Sequence, residues 1–66
     1  KIIMMLEAVW FKNGKEVYHV DPVMNLLCDD EMKNIGEIEV YNGSNWYSCE
    51  DIDGGADNFV IRIKKG

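Results

Sequence analysis

IIMMLEAVWF, residues 2–11, holds nine apolar residues and a single acid, Glu7. A run this apolar reads as the central strand of a sheet, with other segments placed to pair with it or cover it. It ends at Lys12, and Asn13-Gly14 follows. Asn-Gly between two β-rich runs is a strong hairpin signal, because a type I′ turn needs positive φ at both central positions. The return strand is residues 15–20. A two-residue turn then pairs Phe11 with Glu16, Trp10 with Val17, Val9 with Tyr18 and Ala8 with His19. One face of this hairpin carries Leu6, Ala8, Trp10, Val17 and His19. The other carries Ile3, Met5, Glu7, Val9, Phe11, Tyr18 and Val20. Both faces are mostly apolar, unlike a hairpin wetted on one side. Two covers are expected.

The next segment supplies one of them. Asp21 is a good helix N-cap, accepting from free backbone N–H groups, and Pro22 is preorganised for a first helical position. Val23, Met24, Leu27, Cys28 and Ile35 fall on or near one stripe at helical spacing, with Met32 at its edge. This predicts a helix over residues 21–34 that stops at Gly36. A second hairpin follows, residues 37–41 and 44–49 around Asn42-Gly43, pairing Ile38 with Tyr47 and Val40 with Asn45. Cys49 joins that inner face, while Glu37, Glu39, Tyr41, Trp46, Ser48 and Glu50 point outward. Residues 50–58 form a loop that can reverse at Gly54-Gly55. The last strand, residues 59–65, turns Phe59, Ile61 and Ile63 inward and Val60, Arg62 and Lys64 outward.

Strand, strand, helix and three strands define an α+β domain over residues 1–66, with one helix packed on a mainly antiparallel sheet. A β-grasp-like order, with the last strand beside the first, and a helix on a plain meander are the two arrangements considered. Sixty-six residues lie near the lower limit for folding without a staple, and 47% hydrophobic residues suffice for a core. No apolar run approaches the roughly 20 residues of a membrane span. Cys28 and Cys49 lack CxxC spacing, and no export signal is visible. Two reduced thiols in a cytoplasmic protein are therefore expected.

Charge is distributed unevenly. Residues 16–57 hold eleven acids against one base, Lys33, whereas residues 1–15 and 58–66 hold six bases against Glu7. The chain has no basic footprint for nucleic acid. A basic protein partner is what an acidic middle suits.

No residue pattern dictates a chemistry. Read as an EF-hand from Asp51, the loop places Gly55, Ala56 and Arg62 at positions 5, 6 and 12, so the ligand pattern fails. His19, the only histidine, pairs with Ala8 and has no Cys or His at metal-ligand spacing, so it reads as a packed sheet residue. No nucleophile has an orienting pair and no glycine-rich phosphate loop is present. Neither catalysis nor a cofactor or metal is expected.

The remaining signal is acidic and aromatic. Glu37, Glu39 and Glu50 share the outer face of the second hairpin with Tyr41 and Trp46. Asp51, Asp53 and Asp57 continue in the loop, and Asp29, Asp30 and Glu31 cluster on the expected helix. These eleven residues form the expected partner-binding set. Alternate strand residues repeat at about 6–7 Å, so spaced carboxylates could imitate a phosphate backbone toward a nucleic-acid-binding protein. In composition the chain resembles the small acidic host-takeover proteins of bacteriophages. That likeness implies a non-enzymatic inhibitor or modulator of a partner protein. The alternative is an assembly module that oligomerises through apolar strand faces, and a homodimer is expected from the first hairpin.

Overall fold

The computed structural model describes residues 5–31 and 33–64, and its architecture is all-β. The strands are β1 (Leu6–Lys12), β2 (Lys15–Val20), β3 (Asn25–Leu27), β4 (Glu39–Tyr41), β5 (Trp46–Tyr47) and β6 (Asn58–Ile63). Two 3-10 turns, Ile35–Glu37 and Cys49–Asp51, flank the β4–β5 hairpin. The first sheet has the order β2-β1-β6 and the second β3-β4-β5, with every neighbouring pair antiparallel. β1 is central, as the apolar run predicts, and β6 lies beside it. Ile2, Ile3 and Met4 of that run, Met32 and Lys65 lie outside the described residues.

Among the described residues the expected helix is absent, and with it the α+β class and the β-grasp-like order. Residues 21–27 carry the chain from one sheet to the other. The Val23 N–H donates to Leu6 O at 2.9 Å and the next N–H, of Met24, donates to Tyr41 O at 2.7 Å. Strands that switch sheets in this way form the corners of packed β structures. Leu26 then packs inward while Asn25 and Leu27 stay exposed, a period of two in place of a helical stripe. Asp29 closes the following loop by accepting from the N–H groups of Lys33 and Asn34. Short-range start signals lost to tertiary need: without β3, the inner edge of β4 would lack backbone partners.

Asn13 and Gly14 adopt φ of 54° and 78°, the turn their sequence encodes. Phe11 opposes Glu16 as expected, but a bulge between Trp10 and Phe11 leaves Val17 extra. Beyond it Trp10 opposes Tyr18, Val9 opposes His19 and Ala8 opposes Val20. One inserted residue exchanges the faces of everything after it. Tyr18 and Val20 therefore enter the core, and His19 moves to the outer face with Glu7 and Val9.

The β4–β5 hairpin departs differently. Asn42 does not form a two-residue turn; its side chain accepts from the N–H groups of Ser44 and Asn45. The loop lengthens to residues 42–45, and Val40 opposes Tyr47 while Tyr41 opposes Trp46. This is a shift of two from the expected register, and an even shift keeps every side chain on its face. Ile38 and Val40 face inward and Glu39, Tyr41 and Trp46 outward, as expected.

The core lies between the sheets: Ala8, Trp10, Val20, Ile38, Val40 and Ile52, with Tyr18, Val23, Leu26, Ile35, Tyr47, Phe59 and Ile61 packed around them. Trp10 is its centre, fully buried, with ring centroids 5.8 Å from Tyr18 and 4.9 Å from Phe59. The cover expected from a helix is thus a sheet.

Candidate functional site

The carboxylates divide by what they already do. Asp51 caps the second 3-10 turn by accepting from the Ser48 N–H at 2.9 Å. Asp57 accepts from the Asn13 N–H at 3.0 Å and pins the loop to the first hairpin. Asp29 closes its own loop, and Glu31 pairs with Lys33 at 2.8 Å. These four members of the expected binding set have structural work. Asp30, Glu37, Glu39, Glu50 and Asp53 have no ion-pair partner among the described residues.

Three of those five are brought together. Glu37 ends the first 3-10 turn, Glu39 opens β4, and Glu50 lies in the second 3-10 turn. With Gly36 and Ser48 they line one shallow concavity of about 310 Å³. The two turns make this possible: the Asn34 side chain accepts from Gly36 N–H, Ser48 accepts from Glu50 N–H, and both hold their acids at the same end of the second sheet. Asp30 and Asp53 sit in separate loops and do not join the concavity.

Along the same outer face the Tyr41 and Trp46 rings lie 5.0 Å apart with planes 31° apart, and Trp46 keeps 41% of its surface exposed. Leu27 pairs with Glu39 on this face and is also exposed. The sequence reading placed Leu27 on a helix stripe and so missed it. Its only signal was the Asn25-Leu26-Leu27 alternation around a β-compatible trio. The face therefore runs from an aromatic pair through Leu27 to an acidic concavity.

The outer face of the first sheet is organised in the opposite way, with each acid partnered. Arg62 opposes Glu7 across the β1–β6 ladder. Its Nε donates to Glu7 Oε2 at 2.5 Å and its Nη2 to Glu16 Oε1 at 2.9 Å. Glu16 opposes Phe11 on the far strand, so the guanidinium must cross β1 over Val9, which is fully buried. Glu7 Oε1 lies 2.8 Å from His19 Nε2, and Asp21 Oδ2 lies 3.3 Å from the same nitrogen. Lys64 Nζ holds the other Asp21 oxygen at 3.0 Å. This network is why the second apolar face of β1 is not left open. The bulge at Val17 creates it, and its sequence signal was Glu7 itself. An acid central in an apolar strand needs a partner when buried, and only the bulged register gives it His19.

Hydrogen bonds from Arg62, and then from His19, hold the Glu7 carboxyl below its usual range. A depressed folded-state value contributes stability that is complete above the unfolded glutamate value and is lost as pH falls through the folded one. Glu7→Gln is therefore expected to lower the urea midpoint at pH 6 and to converge with the parent as pH drops below about 4.3. Urea titrations at intervals from pH 6 to pH 2, in chelator-treated buffer, check this. A constant gap across the range would contradict it.

Neither cysteine forms a disulfide; Cys28 is exposed. Burial pushes the Cys49 thiol up from its ordinary value, and the group points at Ile35 O at 3.6 Å, which describes a packing residue and not a nucleophile. No helix among the described residues is long and apolar enough to cross a membrane. No protein-family model, curated protein or solved structure matches the chain.

Proposed function

We propose that this protein is a non-enzymatic binding module that presents the outer face of its second sheet to a basic protein and thereby inhibits or modulates it. The observation that carries the reading is the contrast between the two outer faces. On the first sheet every described acid is matched by Arg62, His19 or Lys64, whereas Glu37, Glu39 and Glu50 converge without a cation among the described residues. Converging like charges repel one another, and a partner's lysines and arginines relieve that repulsion. Tyr41, Trp46 and Leu27 beside them supply the apolar anchor that charge alone lacks, since aromatic residues dominate interface energetics. Two free thiols suit a cytoplasmic setting.

Affinity capture on immobilised protein at low salt, followed by a salt gradient, tests this. A retained basic protein that elutes as the Debye length contracts from about 10 Å toward 3 Å supports the reading. Retention insensitive to salt, or no retention, removes it. In the narrower form, the carboxylates take the positions of phosphates on a nucleic-acid-binding protein, and duplex DNA then competes for the captured partner.

One observation favours self-association as a second reading. Leu6 and Ile63 oppose each other at the open end of the first sheet, both exposed, and exposed Met5 accepts from Lys64 N–H beside them. A homodimer built on this patch differs from the one expected from the two apolar faces of the first hairpin. Sedimentation equilibrium is expected to show a dimer at high micromolar concentration that Ile63→Glu dissociates. A monomer throughout counts against it.

A further inference from the structure

We infer that Glu7, His19 and Asp21 form a binding site for one transition-metal cation of the Zn2+ type. One ring nitrogen of His19 and one oxygen from each carboxylate all lie within 4.8 Å of one another. Two distances bear directly on the fit. A tetrahedral Zn2+ with bonds near 2.0–2.2 Å separates its donors by roughly 3.3 Å. Asp21 Oδ2 already lies 3.3 Å from His19 Nε2, and Glu7 Oε1, at 2.8 Å, needs to open by about half an ångström.

Hydrogen bonding alone does not require this arrangement. A ring nitrogen donates one hydrogen, yet two carboxylate oxygens converge on the same Nε2. The far oxygen of each carboxylate is separately held, Glu7 Oε2 by Arg62 and Asp21 Oδ1 by Lys64. Such outer partners orient metal ligands and occupy the oxygens the metal does not use. His19 keeps 41% of its side chain exposed, so an ion can reach the ring from solvent. One imidazole with two carboxylates suits Zn2+ and its neighbours; Ca2+ and Mg2+ demand more oxygen donors than converge here.

The site also has a physical purpose. Its donors come from β1, from the end of β2 and from the corner where the chain leaves the first sheet. An ion there would tie the central strand to that corner, the kind of staple on which domains of this size commonly depend. The inference is independent of the proposed partner-binding face.

The test is calorimetric titration of Zn2+ into the full chain carrying Cys28→Ser, which removes the exposed thiol, at neutral pH. One equivalent is expected to bind with a low-micromolar Kd, and a hundredfold excess over that Kd to raise the thermal midpoint by roughly 10–20 °C. His19→Ala in that background is expected to weaken binding at least tenfold with its circular dichroism unchanged. A further readout needs no ligand-removing variant: the His19 Nε2 resonance of the Cys28→Ser parent should move on Zn2+ addition. Absence of binding, an unmoved His19 resonance, undiminished binding by a folded His19→Ala chain, or equal affinity for Ca2+ would each overturn the assignment.

Discussion

Trp10→Ala is expected to leave the chain largely unfolded at 25 °C. The indole is completely buried at the centre of β1 and packs against Tyr18 and Phe59. Emptying a site of this kind costs about 3–5 kcal/mol through lost burial and the cavity left behind. A chain of this length commands a total of only roughly 3–10 kcal/mol. The indole N–H has no acceptor in the described structure, so Trp10→Phe loses a ring but no hydrogen bond and should remain folded with a lower urea midpoint. Trp46→Ala removes an equally large residue from the exposed face and should shift stability by about 1 kcal/mol at most, the scale of an aromatic pair. Near-ultraviolet circular dichroism and urea titration of the three variants check the order. A folded Trp10→Ala chain would contradict the placement of the core.

Reversing Glu37, Glu39 and Glu50 together to lysine should abolish capture of the basic partner, with a loss on the order of a hundredfold or more at low salt. Each reversal removes an attraction and sets like charges against each other, and such juxtapositions cost several kcal/mol at an interface. The substitutions fall on exposed residues without ion-pair partners among the described residues, so the fold should survive them. Asp29→Asn and Asp57→Asn serve as controls. Each removes one charge from the acidic middle but belongs to a carboxylate that closes a loop, so partner affinity should change less than threefold. Equal losses in both sets would mean that net charge, and not this face, drives binding.

How far the sequence could carry the fold varies by segment. The first hairpin was legible because Asn13-Gly14 encodes its turn locally, and β6 because residues 59–63 are rich in β-favouring apolar side chains and follow the Gly54-Gly55 reversal. The bulge was not legible from turn chemistry, which sets the pairing only as far as Phe11 and Glu16. Past that point the register follows burial of Tyr18 and Val20 and the need of Glu7 for a partner. Residues 21–34 misled for a related reason. Asp21-Pro22 is a valid local helix start, but the open edge of β4 needed a strand, and Asn25–Leu27 supplies it.

The acidic face survived a register error because the shift was even, so Glu39, Tyr41 and Trp46 kept their side of the sheet. What the sequence could not separate was working acids from idle ones. Asp29, Asp51 and Asp57 look identical to Glu37 and Glu50 in composition, yet hydrogen bonds to specific backbone N–H groups consume them. The His19 cluster was invisible because its three donors meet only through the bulged register.

The most direct test of the proposed face is an amide correlation spectrum of isotopically labelled protein titrated with the captured partner. Binding through the acidic concavity and aromatic pair predicts the largest changes at Glu37, Glu39, Tyr41, Ser48 and Glu50 and at the Trp46 indole N–H, with β1 and β6 nearly unmoved. Changes confined to Met5, Leu6 and Ile63, or to the Glu7, His19 and Arg62 face, would contradict it.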